Sequence, residues 1–119
     1  MGKQILIVDD HQDICLSLGD RLEQLGFEVS MASNGMEGLA QLQAQIFQGI
    51  LLDLEMPVMD GLTMLTQLRK QSNSIPIIVM SGDPTRTSMM KAIEAGARDY
   101  LTKPISSVIL KYKCLRLFT

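Results

Sequence analysis

The chain has 119 residues, 46% of them hydrophobic and 20% charged, with a net charge of −2. That is enough for one core, too apolar for a disordered chain, and gives no charge-based reason to expect direct nucleic-acid binding. No apolar run approaches the roughly 18 residues that a membrane span needs, and Lys3 leads straight into a short apolar strand, so neither a signal peptide nor a membrane segment is expected.

The elements alternate strand and helix five times. The first strand is expected over Gln4–Val8, and the first helix over Asp13–Leu25 with a stripe of Ile14, Leu18, Leu22 and Leu25. Gly26 ends it. Phe27–Ala32 reads as the second strand; Asn34 can cap a second helix whose stripe is Leu39, Leu42 and Ile46. The third strand is Gly49–Asp53, followed by a turn-rich stretch from Leu54 to Gly61 and a helix over Leu62–Lys70. Pro76–Met80 reads as the fourth strand, Thr85–Glu94 as the fourth helix closed by Gly96, Asp99–Leu101 as the fifth strand, and Ser107–Leu117 as a fifth helix capped by Ser106.

The first, third and fourth strands are continuous apolar runs, the mark of strands buried on both faces. Five βα units with right-handed crossovers give an α/β chain, one domain over residues 1–119: a doubly wound (βα)5 three-layer sandwich of flavodoxin-like type, its parallel sheet in the order 2-1-3-4-5. Two cysteines, Cys15 and Cys114, fall in helices without metal-ligand spacing and read as reduced thiols of a cytoplasmic protein.

In such a sheet every strand ends on one edge, and ligands bind there. Asp9 and Asp10 follow the first strand, Asp53 ends the third, Ser81 follows the fourth and Lys103 follows the fifth. An Asp before a helix can simply cap it. Three carboxylates drawn together repel unless a cation lies among them, and oxygen ligands with room for water suit Mg²⁺. Asp53 closes a very apolar strand, where a carboxylate is costly unless it is a ligand or a nucleophile for a phosphoryl group. Lys103 could neutralise phosphoryl oxygens or form a plain salt bridge, and Ser81 could donate to such an oxygen or be a turn hydroxyl. His11, the one histidine, reads as an exposed loop residue at the start of the first helix.

Taken together, Ile7-Val8-Asp9-Asp10, Leu52-Asp53-Leu54-Glu55-Met56-Pro57-Val58-Met59-Asp60-Gly61, Ser81-Gly82 and Gly96-Ala97-Arg98-Asp99-Tyr100-Leu101-Thr102-Lys103-Pro104 resemble the receiver domain of bacterial two-component response regulators, over almost the whole length. The resemblance implies that Asp53 accepts phosphate from a sensor histidine kinase or phosphotransfer protein. It implies that Asp10 ligates Mg²⁺ directly with Asp9 close by, and that Asp53 and the backbone carbonyl of Glu55 complete the protein ligands. Ser81 and Lys103 would contact the phosphoryl oxygens, Tyr100 would be the switch aromatic, and the Lys103–Pro104 bond would be cis. Glu55 and Asp83 would lie beside the path of attacking water and tune the lifetime of the phosphorylated form. Output would run through the fourth helix, fifth strand and fifth helix, to an effector domain or a homodimer partner.

That face coincides with a charge asymmetry. Up to Thr85 there are 4 basic against 11 acidic residues, and from Arg86 onward 7 against 2. The fifth helix carries two apolar stripes, Val108, Tyr112 and Leu115 on one and Leu110, Cys114, Leu117 and Phe118 on the other, so one must face outward. On this reading the chain is no turnover enzyme and catalyses only its own phosphorylation and dephosphorylation. A phosphatase of the haloacid dehalogenase type shares the Asp, Mg²⁺ and Lys chemistry but wants Asp-x-Asp after its first strand; here the third position of that motif is Glu55, and it follows the third strand. A flavodoxin-like redox module would need a phosphate-cradling loop where this chain puts carboxylates.

Overall fold

The computed structural model of the protein describes residues 2–56, 59–71, 73–82 and 86–119, and of residues 86 and 87 only the backbone. The elements run β1 (Lys3–Val8), α1 (Gln12–Gln24), β2 (Phe27–Ala32), α2 (Gly35–Ala44), β3 (Gly49–Asp53), α3 (Gly61–Lys70), β4 (Ile77–Ser81), α4 (Arg86–Glu94), β5 (Asp99–Thr102) and α5 (Ser107–Leu117). All four strand pairings are parallel, and the sheet order is β2-β1-β3-β4-β5. The expected α/β doubly wound architecture and strand order are therefore observed.

The alternation of side chains along each strand divides the core in two. Leu6, Val8, Ile50, Leu52, Ile77 and Val79 face a layer formed by Met64, Leu65 and Leu68 of α3, Ala92 of α4 and, partly buried, Leu39 and Leu42 of α2. Ile5, Ile7, Leu51, Ile78, Met80 and Leu101 face Cys15, Leu18 and Leu22 of α1 and Leu110, Cys114 and Phe118 at α5. Every residue of β3 and β4 is buried, which is why these strands read as unbroken apolar runs. Leu110, Cys114 and Phe118 form the inward stripe of α5, while Val108 and Tyr112 are 78% and 65% exposed.

Helix ends follow local chemistry. Asn34 accepts the N–H of Glu37 at 2.9 Å, and Glu37 in turn accepts both the N–H and the hydroxyl of Ser33. Asp60 accepts the N–H of Thr63 at 2.7 Å, and Ser106 caps α5 through the N–H of Ile109. Gly26 and Gly96 follow α1 and α4 with positive φ.

One core assignment is corrected. Ile46 is 82% exposed and lies beyond α2, which ends at Ala44 with Gln45 extended. Phe47, one residue on, is buried instead. The helical stripe stops where the helix does, and the chain is already turning toward β3.

Candidate functional site

The C-terminal sheet edge is built by strands in register. Asp53 pairs with Met80 across β3–β4, and Ser81 pairs with Thr102 across β4–β5. Asp9 donates its N–H to the carbonyl of Ala32, which continues the β1–β2 ladder by one residue. Three strand ends therefore stop within side-chain reach of one point. Gly61 allows α3 to begin against this edge, because a Cβ there would strike the carbonyl oxygen of Asp53.

Lys103 reaches into the acidic group from the end of β5. Its Nζ lies 3.1 Å from Asp9 Oδ2 and 3.3 Å from Asp53 Oδ1. The Lys103–Pro104 bond is cis, as the resemblance implies. Asp53 Oδ1 also accepts the backbone N–H of Glu55 at 3.1 Å. Asp53 Oδ2 is different: it is buried and, among the described residues, accepts no hydrogen bond.

Asp9 and Asp53 are 1% and 0% exposed, so the electrostatics differ sharply from those of surface carboxylates. Burial pushes the Asp53 carboxyl up to about 6; the Glu55 N–H and the Lys103 charge offset only part of that, and the Asp9 charge adds to it. Asp9 meets the same burial, but the His11 N–H, the His11 ring and Lys103 outweigh it and hold the group below the usual carboxylate range. Lys103 is likewise desolvated, yet its two carboxylate neighbours raise it above an ordinary lysine. Burial raises Cys15, whose Sγ donates to the Asp9 carbonyl, to about 11, so this thiol stays protonated beside the site.

His11 is 54% exposed and stands just before α1 as its N-cap residue, the exposed position at the start of the first helix that the sequence predicts, but its ring turns to the acidic group. Its N–H and its Nδ1 both reach Asp9 Oδ1, at 2.9 and 2.8 Å, and Nδ1 lies 3.3 Å from Asp10 Oδ1. The tight turn out of β1 folds the residue two after Asp9 back over it. Asp9, Asp10, His11 and Asp53 each offer a donor atom, all within 4.8 Å of one another, and so form a group that could hold a metal ion.

Glu55 has a second contact that its sequence neighbourhood did not signal: Oε1 accepts the N–H of Gly82 at 3.0 Å, tying the turn after β3 to the end of β4. Ser81 is buried at the end of β4, and its carbonyl accepts the Lys103 N–H at 2.9 Å. Tyr100 stands apart from the acidic group. Its ring is 41% exposed, with Lys113 Nζ 4.5 Å from the ring centroid. Asp83, Pro57 and Val58 lie outside the described residues.

A family model for the response regulator receiver domain matches residues 5–113. The chain is 38% identical over 114 residues to the transcriptional regulatory protein PrrA of Mycobacterium leprae, covering 94% of this chain and 49% of that protein. It is 39% identical over 117 residues to the transcriptional regulatory protein SrrA of Staphylococcus aureus, covering 97% of this chain and 48% of that protein. It thus spans about half the length of the curated relatives it matches. The solved receiver domain of the Francisella response regulator 1452 superposes with a TM-score of 0.93 at 29% identity, over 98% of this chain and 97% of that one. These matches lend the haloacid dehalogenase alternative no support. With its sheet order, its strand-end carboxylates and lysine, and a family match over nearly its whole length, the chain belongs to the receiver domains of two-component response regulators.

Proposed function

We propose that Asp53 is the phosphoacceptor, and that the observation carrying this is the state of its two oxygens. Oδ1 is held by Lys103 and the Glu55 N–H, while Oδ2 is buried without a hydrogen-bond partner among the described residues. A buried oxygen of this kind is costly unless a bound group completes it. Oδ2 attacks the phosphorus of a phosphohistidine on a sensor kinase or phosphotransfer protein. The new O–P bond forms as the N–P bond breaks, and the leaving imidazole regains a proton.

The carboxylates of Asp10, Asp53 and Asp9, with the Glu55 backbone carbonyl, are the residues that would hold Mg²⁺. When bound, Mg²⁺ supplies positive charge for the phosphoryl oxygens. Lys103 supplies a second positive charge from the far side of Asp53 Oδ1, and the Ser81 hydroxyl donates to a phosphoryl oxygen. That movement of Ser81 opens space for the Tyr100 ring, and the surface of α4, β5 and α5 changes with it. The output is control of an effector domain or a partner copy docking there, in keeping with relatives named as transcriptional regulatory proteins. The apolar stripe of Val108 and Tyr112 beside Lys111 and Lys113 gives that face both apolar area and positive charge.

Incubation with a small phosphodonor and Mg²⁺ tests the reading. One base-labile phosphoryl group per chain is expected by intact mass, absent in Asp53→Asn. Labelling that survives in Asp53→Asn overturns the assignment. Steady phosphate release from unrelated monoesters would instead mark a phosphatase.

A further inference from the structure

Lys103 reaches across the sheet. It leaves the end of β5, yet its Nζ contacts Asp9 at the end of β1 and Asp53 at the end of β3, and β3 and β4 lie between β1 and β5. On one side its backbone is held by the Ser81 carbonyl at 2.9 Å. On the other side the chain leaves the sheet through Pro104, Ile105 and Ser106 before α5 begins at Ser107. In that stretch no backbone N–H among the described residues reaches the Ile105 carbonyl. Its donor is Arg21 of α1, whose Nη1 lies 2.9 Å from it across 84 positions of chain. The same Nη1 donates to the Ser107 hydroxyl at 3.1 Å, and Nη2 lies 3.4 Å from the Ser17 hydroxyl one turn back on α1. No carboxylate pairs with this guanidinium among the described residues, and its Nε is buried without an acceptor. Placing a cation there costs desolvation that no ion pair offsets; what the position secures is the Ile105 carbonyl.

The helix that carries Arg21 also fixes the strand that carries Asp9. Through Cys15, Leu18 and Leu22, α1 packs in one layer with Ile5 and Ile7 of β1. Arg21 therefore ties the unit holding Asp9 to the turn holding Lys103, by a route that bypasses the three strand pairings between them. We propose that Arg21 is a positioning residue for the phosphorylation reaction: it fixes the turn after β5 and so aims the Lys103 ammonium at Asp53. The proposal rests on the reading of Asp53 as the phosphoacceptor and of Lys103 as a cation for its phosphoryl group. A displacement of about 1 Å at a reacting centre can cost about a hundredfold in rate. Without the clamp, Lys103 is still held at Ser81 and Ile105 still packs against the α1–α5 layer. The turn loosens without detaching, so a smaller loss, of about tenfold, is expected.

The rate of Mg²⁺-dependent phosphorylation by acetyl phosphate, followed by intact mass, tests this. Arg21→Met keeps the apolar stem and removes every donor; it is expected to lower the rate constant about tenfold. Arg21→Lys restores a cation able to donate to the Ile105 carbonyl and is expected to recover most of the rate. Arg21→Gln, with a shorter side chain, serves in place of Arg21→Met should that variant fold poorly. The deciding measurement is a double-mutant cycle with Lys103→Ala, whose own phosphorylation is expected to be slow. In that background Arg21→Met is expected to change the residual rate by less than about twofold, because the group it aims is gone. The same loss in both backgrounds, or a wild-type rate in folded Arg21→Met, overturns the proposal while the roles of Asp53 and Lys103 stand. A wild-type rate in Lys103→Ala removes the role of Lys103 and the proposal with it. Labelling that survives in Asp53→Asn removes the phosphoacceptor reading itself.

Discussion

Asp53 carries a folding cost that its proposed role explains. Its carboxyl is fully buried and titrates at about 6, against an ordinary value of 3.8. A carboxyl raised in this way binds more protons in the folded than in the unfolded state between those two values. Its contribution to stability is therefore fully present below pH about 4 and is lost as pH rises through about 6. In metal-free buffer at pH 7, Asp53→Asn should raise the unfolding free energy by about 1–3 kcal/mol, the amide escaping the cost of ionisation. Urea unfolding checks this, and the gain should vanish at pH 4; equal stability of the two proteins at pH 7 would remove burial as the dominant influence on Asp53. The five strand-end residues were legible in sequence because each closes an apolar run, and a parallel sheet gathers such ends. His11 was not, because no periodicity marks a lone ring whose meaning lies in a turn. The bond from Glu55 to Gly82 spans 27 positions and follows from no local pattern.

Elements show where local pattern suffices. The apolar runs located β1, β3 and β4 to within a residue, and the Asn34 cap located the start of α2, since these signals act through neighbours in the chain. Asn34→Ala should lower stability by about 1 kcal/mol in thermal or urea unfolding, because it leaves the Glu37 N–H without its acceptor. Ile46 shows the limit: spacing continued a stripe past the point where the backbone had already become extended. The β5–α5 pair carries a device that no stripe reveals. Lys113 donates to Asp99 at 2.9 Å and to the Tyr100 carbonyl at 2.6 Å while lying over the Tyr100 ring, and Arg116 holds the other oxygen of Asp99 at 3.0 Å. These contacts favour the exposed ring. An exposed cation–π contact is worth about 0.5–1 kcal/mol, so Lys113→Met should increase the population with the ring turned inward by about two- to fivefold. Fluorine NMR of fluorotyrosine-labelled protein, with Tyr112 as the internal reference, reads that population directly; an unchanged Tyr100 signal would mean that Lys113 exerts no hold on the ring.

At the scale of the whole molecule, the sheet collects negative charge at one edge and the fold tolerates it. The strand order was legible because the crossovers of a βα chain leave few topologies, and the site followed from it. What the order could not reveal was the division between the bound and the orphaned oxygen of Asp53, which depends on the positions of Lys103 and the Glu55 peptide. That division yields a global consequence. A ligand that binds only the folded state stabilises it by RT ln(1 + [L]/Kd), about 1.4 kcal/mol at ten times Kd. For a chain of 119 residues, whose unfolding entropy near 60 °C is about 2.1 cal/mol/K per residue, that corresponds to a rise in Tm of about 6 °C. Mg²⁺ should produce this rise in the wild-type protein at constant ionic strength, and EDTA should reverse it. Asp53→Asn and Asp10→Asn should respond much less, since each removes a carboxylate from the cluster. Because Asp53→Asn begins more stable without metal, its melting curve and that of the wild type should approach one another as Mg²⁺ increases. A rise of equal size in all three proteins would place the Mg²⁺ effect elsewhere on the surface and separate the buried charge of Asp53 from the binding of metal.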